Sequence, residues 1–249
     1  MLDLREPGED FSAGDYQRMG RQVLGRIRDA GRVAIVAGGT GFYLRALIDG
    51  LFAGPGRSEE LRARMRRVLQ RGGIRHLYHA LRRADPGTSG RVSPADASRI
   101  VRAYEIYLMT GKPMSWWQAR PSDRLEGFRW LKLALNWPRE ILYQRINSRV
   151  EEMFRAGFPD EVRRLLATYP RHCHAFKAIG YHQIADCLEG RCSLQEAIES
   201  TQQESRRYAK RQLTWFRSLR DLQWLDAGRP WPELERQAIQ LVEAFLSTG

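Results

Sequence analysis

The chain has little cysteine. Cys173, Cys187 and Cys192 are the only three in 249 residues, an odd number without C-x-x-C spacing, which excludes a disulfide framework and a zinc knuckle. His172 and His174 flank Cys173, which leaves a metal site conceivable there, but a complete ligand set at usable spacing is missing. Long apolar runs are missing too. None approaches the ~20 residues that span a bilayer, and the opening MLDLREPGED lacks the regions of a signal peptide. No membrane partner is therefore expected, and a cytoplasmic location follows. The pattern G-x-x-x-x-G-K-[ST] occurs nowhere, so the chain has no Walker A loop. Tandem repeats and low-complexity tails are absent as well.

Acid is scarce relative to base. The chain carries 29 Asp+Glu against 41 Lys+Arg, a formal charge of +12; this favours a polyanionic partner, nucleic acid first, over a neutral small-molecule carrier. At 43% hydrophobic, there is apolar area for one large domain, or for a core with a small inserted one.

The most informative stretch is Arg206 to Arg217, RRYAKRQLTWFR, on a helix predicted from Leu194 to Leu219. Its five Arg/Lys residues interleave with Tyr208, Trp215 and Phe216. Cations neutralise phosphates and planar groups lie against unstacked bases. A solvated helix face is the plain alternative, though such a face carries Lys and Glu in balance.

Earlier in the chain, Ser12 and Asp15 have capping-box spacing and open a helix that Gly31 ends. Val33 to Ala37, VAIVA, predicts a strand covered on both faces, followed by Gly38, Gly39, Thr40 and the helical FYLRALIDGL. In an open α/β sheet, ligands bind beyond the carboxyl end of such a strand, where glycines let backbone N–H groups approach an anion. Turn formation alone also accounts for the triplet.

From 51 to 121 the pattern is helical, with helices predicted over Ser58 to Arg71, Ile74 to Arg83 and Ala95 to Thr110. It reads as an insertion into a core made of 1–50 and 122–249. Arg99 and Arg102 share a face of its last helix, and Ile100, Val101, Tyr104 and Leu108 serve packing; solvated charge is the alternative for the two arginines. Phe128 to Leu135 predicts a second strand and Pro138 the start of a helix burying Ile141, Leu142, Ile146, Val150, Met153 and Phe154. Arg145 and Arg149, four apart on another face, have the spacing to clamp a pyrophosphate, or to pair with Glu151 or Glu152. Gln223 to Asp226 is a candidate last strand, before a closing amphipathic helix, Trp231 to Leu246. The fold class is α/β, mostly helical with a minor sheet.

Several stretches together resemble the bacterial tRNA dimethylallyltransferases, also called tRNA isopentenyltransferases. LDLREPGEDFSAGDY, VAIVAGGTGFYLRALIDGL, RVSPADASRIVRAYEIYLMTGKPMS, RINSRVEEMFRAGFPDEVRRL, KAIGYHQI and RRYAKRQLTWFR follow in the family's order and spacing, and the last is the most specific. The resemblance implies a P-loop NTPase-like parallel sheet core carrying an all-helical insertion domain. It implies transfer of a dimethylallyl group from dimethylallyl diphosphate to N6 of the adenosine just 3′ of the anticodon, by a monomer that binds the tRNA anticodon stem-loop and requires Mg2+. Carried onto this sequence, it assigns the pyrophosphate-stabilising role to Arg149 or Arg145 and lines the channel with Gly38, Gly39 and Thr40. It assigns tRNA contacts to Ser98, Arg99, Ile100, Val101 and Arg102, to Ile179, Gly180, Tyr181 and His182, and to Lys210, Arg211, Gln212, Trp215 and Arg217.

The departures matter equally. The family begins with a strand, a P-loop ending in Gly-Lys-Thr and an Asp-Ser segment that supplies the general base, and this chain starts downstream of them. The expectation is therefore a chain lacking that base, the diphosphate cradle and the Mg2+ ligand, impaired in catalysis and poorly soluble. Ser93 and Ala95 flank Pro94 where the family usually shows His and Asn. A basic RNA-binding module without catalysis is the main rival, ahead of a nucleotide-dependent kinase or ATPase and a helical scaffold.

Overall fold

The computed structural model describes residue 1 and residues 3–248. In chain order its helices and strands are α1 (Ala13–Asp29), α2 (Gly41–Ile48), α3 (Glu59–Ala84), α4 (Pro86–Ser89), α5 (Ala97–Thr110), α6 (Met114–Gln118) and β1 (Lys132–Asn136). They continue with α7 (Arg139–Arg155), α8 (Phe158–Thr168), a 3-10 turn (His174–Lys177), α9 (Tyr181–Leu188), α10 (Leu194–Arg217), β2 (Leu222–Asp226) and α11 (Trp231–Ser247). The chain divides into two units, 1–44 with 127–249, and 45–126. The first boundary falls inside α2 rather than at its end.

In the first unit the helix starts follow local chemistry. The Asp15 N–H donates to Ser12 Oγ at 3.1 Å, and the Ser12 N–H donates to Asp15 Oδ2 at 3.1 Å. The same reciprocal box opens α10, with Glu196 N–H to Ser193 Oγ at 3.2 Å and Ser193 N–H to Glu196 Oε2 at 2.7 Å; each satisfies donors that a helix start leaves orphaned. The core joins Val150 and Phe154 of α7, Phe158 and Val162 of α8, Phe176, Ile184 and Ala185 of α9, and Ala197 of α10. Ile141 and Met153, expected inside, are 40% and 36% exposed. The buried stripe of α7 is thus narrower than its apolar content, because α8, α9 and α10 cover one side of it only.

The sheet is small. β1 and β2 pair in parallel, in register from Lys132↔Leu222 to Asn136↔Asp226, and α7 to α10 lie in the long crossover that parallel pairing requires. β1 starts at Lys132 rather than at Phe128. The preceding residues are held by side chains instead: Arg28 lies over Phe128 at 5.4 Å, and Arg129 lies over Phe245 at 4.7 Å and donates to its carbonyl. The expected strand at Val33 to Ala37 is not formed. A strand exists through its ladder, and these residues pair with nothing among the described residues, leaving Val33 61% and Ile35 89% exposed.

The unit 45–126 is all helical. Gly73, at φ +71°, breaks α3 into two helices, since that backbone region is open chiefly to glycine. Met65, Leu77 and Leu81 of α3 pack on Ile100, Val101, Ala103 and Ile106 of α5 and Met114 of α6. Within this apolar layer sits Glu105, with no exposed surface. It accepts from Arg62 Nε at 3.0 Å, Arg102 Nη1 at 2.5 Å and the Ser58 N–H at 2.7 Å. Burial pushes its pKa up, but the hydrogen bonds from Arg62, Arg102 and Ser58 outweigh burial and hold it below the ordinary value.

Candidate functional site

α10 carries two working faces. Gln202 and Arg206, four apart, meet α7: Arg206 Nη1 donates to Asn147 Oδ1 at 2.5 Å, and Gln202 Nε2 donates to Glu151 Oε1 at 3.1 Å and to the Asn147 carbonyl at 3.4 Å. Tyr208, Gln212 and Trp215 follow at i, i+4 and i+7 on a second face, roughly a third of a turn round the helix, and meet the glycine turn. Gln212 Nε2 donates to the Gly39 carbonyl at 2.9 Å, and the Tyr208 hydroxyl lies 3.4 Å from Thr40 Oγ1. The Trp215 ring occupies the space that a Cβ on Gly41 would take, so glycine there is what lets the turn sit against the helix. The structure thus brings Gly39 and Thr40 together with Gln212 and Trp215; Gly38 stands exposed beside them.

Arg145 and Arg149 are elsewhere on α7. Each lies two residues from Asn147, so both project from the side opposite α10. The guanidinium of Arg145 lies 4.5 Å over the Trp137 ring. Arg149 is exposed and, among the described residues, pairs with neither Glu151 nor Glu152. The salt-bridge alternative for these two arginines is not what the fold uses, because Glu151 is taken by Gln202.

The cations of α10 are available. Lys210, Arg211 and Arg217 are exposed and form no ion pair among the described residues. Arg211 lies 5.6 Å over the Tyr208 ring, and Lys210, Arg211, Thr214, Trp215 and Ser218 border an open hollow of about 450 Å³. A solvated face with balanced charges would have paired them; this one leaves positive charge beside aromatic surface.

The other expected contacts divide between surface and interior. Gly180 is buried at φ +95°, where a Cβ would lie 2.6 Å from the Phe158 ring, and its N–H donates to Gln183 Oε1 at 2.7 Å. Tyr181 is half-buried, edge-on to Phe158 at 4.9 Å, and its hydroxyl donates to Glu161 Oε1 at 2.6 Å. Burial, then that hydrogen bond, push its pKa up to about 12. His182 Nδ1 lies 3.2 Å from the Ala178 carbonyl and Nε2 lies 3.5 Å from Glu204 Oε2. These partners tie the turn to α8 and α10, and Ile179 is half-buried beside them. In the unit 45–126, Ser98 and Arg99 are exposed, whereas Ile100 and Val101 are in the core and offer no side chain to a ligand. Arg102 is spent on Glu105 and on the Gly56 and Pro55 carbonyls, at 3.0 and 2.6 Å.

The sequence pattern of the IPP transferases matches residues 1–219. The chain belongs to the IPP transferase family. A tRNA dimethylallyltransferase of Koribacter versatilis is 42% identical over 245 residues, covering 98% of this chain and 79% of that protein. One from Solibacter usitatus is 42% identical over 248 residues, covering 99% and 80%. Among solved structures, the full-length tRNA isopentenylpyrophosphate transferase of Bacillus halodurans superposes with a TM-score of 0.65 at 31% identity, covering 99% of this chain and 80% of that one. A eukaryotic dimethylallyltransferase captured acting on tRNA gives a TM-score of 0.79 at 25% identity, with coverage of 98% and 64%.

For an IPP transferase, the described residues supply cations and backbone donors rather than carboxylate ligands. No three His, Cys, Asp or Glu side chains converge to hold a metal ion among the described residues, and no step is routed through one. The residues that reading the sequence missed are Asn147 and Gln202 at the α7–α10 crossing and Trp137 under Arg145; Tyr208 was singled out as an aromatic of the helix but not as a partner of the turn. The spacing of Gln202 and Arg206 on a face apart from Tyr208 and Gln212 was a usable signal. The identity of their partners across the fold was not.

Proposed function

We propose that this protein transfers the dimethylallyl group of dimethylallyl diphosphate to N6 of the adenosine just 3′ of the anticodon in tRNA. The observation that carries the reading is the hydrogen-bonded contact of Gly39 and Thr40 with Gln212 and Tyr208, which sets a backbone-donor turn against an unpaired cationic and aromatic helix in an IPP transferase chain. In the reaction the bond from the prenyl carbon to the diphosphate oxygen breaks, the carbon–N6 bond forms and N6 gives up a proton to solvent. Negative charge grows on the departing pyrophosphate, where the N–H groups of the turn stabilise it, and the resemblance assigns Arg149 of α7 to the same charge. Lys210, Arg211 and Arg217 hold RNA phosphates, and the aromatic side chains of α10 give an unstacked base a surface to rest on. The parallel β1–β2 pair with its helical crossover supports reading the first unit as part of a P-loop NTPase-like α/β core, with 45–126 as its insertion.

Incubating the protein with isotopically labelled dimethylallyl diphosphate and an anticodon stem-loop tests this. Label is expected on the stem-loop, and none when that adenosine is replaced by guanosine, which has no N6 amine. A stem-loop that binds tightly but never acquires label, while the labelled donor also binds, overturns the transfer reading in favour of a non-catalytic RNA-binding module.

A further inference from the structure

Gln212 stands in the middle of the cationic and aromatic stretch, where the resemblance groups it with the RNA contacts. Its side chain is half-buried and its amide is spent inside the protein, on the Gly39 carbonyl at 2.9 Å. We infer that Gln212 is a positioning residue for the donor diphosphate, fixing the peptide plane of the glycine turn so that its N–H groups face the leaving group. The inference rests on the reading of Gly38 to Thr40 as the diphosphate side of the site.

The geometry runs through one peptide unit. In a planar trans peptide the C=O and N–H point in opposite directions, so pinning the Gly39 carbonyl onto α10 aims the Thr40 N–H away from it. The Thr40 carbonyl is occupied as well, accepting from Tyr43 N–H at 3.0 Å and Leu44 N–H at 3.1 Å as α2 begins. By contrast, the N–H groups of Gly39, Thr40, Gly41 and Phe42 donate to nothing among the described residues. A turn whose carbonyls are tied down and whose N–H groups are unspent presents donors to an anion.

The glycines make the arrangement both possible and dependent on Gln212. A Cβ on Gly39 would overlap the Gln212 amide, so only glycine admits that amide to the carbonyl. Two glycines in succession are also the most freely rotating backbone the chain can offer. The Gln212 bond, with Thr40 held beside Tyr208, is what selects one orientation.

The test uses Gln212→Met, which keeps the side-chain length and removes the donor, beside Gln212→Ala. Three quantities are read: hydrogen exchange of the 38–42 amides, affinity for dimethylallyl diphosphate, and affinity for the anticodon stem-loop. Both variants are expected to exchange faster at 38–42 and to bind the diphosphate about 5- to 10-fold more weakly, the effect of one lost hydrogen bond, with stem-loop affinity within about twofold. Loss of stem-loop affinity with unchanged exchange and diphosphate binding would make Gln212 an RNA contact and overturn the inference. Equal loss of both ligands with a lowered melting temperature would overturn it in favour of a folding role. If the unaltered protein bound no dimethylallyl diphosphate, the reading of the site would fall, and unchanged exchange in the variants would separately show that Gln212 does not hold the turn.

Discussion

Arg206 and Asn147 are joined by a 2.5 Å hydrogen bond from guanidinium to side-chain amide oxygen, and that bond orients α7. With Asn147 committed to α10, the helical repeat turns Arg145 and Arg149 to the opposite side. The two arginines of α7 and the exposed cations of α10 therefore stand on different sides of the α7–α10 crossing.

On the proposed reading Arg149 is the better placed of the two arginines for catalysis, because it is exposed and has no ion-pair or hydrogen-bond partner among the described residues, whereas Arg145 stacks on Trp137. Arg149→Ala is expected to lower kcat by about 10²- to 10³-fold, the loss typical of one transition-state donor, with little change in stem-loop affinity. Steady-state rates beside fluorescence anisotropy would check it, and a comparable fall in RNA affinity would reassign Arg149 to RNA.

On the proposed reading, Lys210, Arg211 and Arg217, which form no ion pair among the described residues, act on phosphates without reading sequence. Replacing Lys210, Arg211 and Arg217 together by Ala should weaken stem-loop binding and lower the slope of log K against log salt by about 2, from roughly 0.7 per single-strand phosphate contact. Melting temperature should stay put, since the three side chains are exposed and form no ion pair among the described residues. An unchanged salt slope would show that these residues face solvent only.

Glu105 makes the unit 45–126 sensitive to acid. Its folded pKa lies below the ordinary 4.5, because the donors Arg62, Arg102 and Ser58 outweigh burial. Its contribution to stability is accordingly complete above about pH 4.5 and drains away as the pH falls through the folded value. Glu105→Gln should destabilise the protein by about 3 kcal/mol at neutral pH, near the low end for breaking a buried pair, since Arg62 and Arg102 keep 24% and 28% of their side-chain surface in water. Denaturant titrations across pH would show the two proteins converging in acid.

Gly180 is fixed by backbone and by space at once. Gly180→Ala places a Cβ against the Phe158 ring at φ +95° and is expected to cost about 1–3 kcal/mol through overpacking, plus the strain of the left-handed backbone. Thermal melts would register it, and a neutral effect would mean that the α8–α9 contact is looser than it stands here.

Much of the fold was legible in local patterns. Ser12 with Asp15, the breaks at Gly31 and Gly73, and the short strand ending at Asp226 are set by residues within a turn or two of one another, so spacing alone finds them. The basic and aromatic character of 206–217 was equally plain, and Lys210, Arg211 and Arg217 form no ion pair among the described residues. Less legible were the strand expected at Val33 to Ala37, the deep burial expected of Ile141 and Met153, and the RNA contacts expected of Ile100 and Val101. Each depends on what packs or pairs across the fold, which an apolar run does not encode.

The sequence by itself determined the family, the positive field, the helix boundaries and the glycine turn, because these follow from composition, capping chemistry and local periodicity. Only the tertiary structure decided that Gln212 closes on Gly39, that Asn147 turns the α7 arginines outward, and that Arg102 serves Glu105. Those contacts join residues 173, 59 and 3 positions apart. Even for the nearest pair, burial of the carboxylate decided the outcome, and burial is a property of the assembled core.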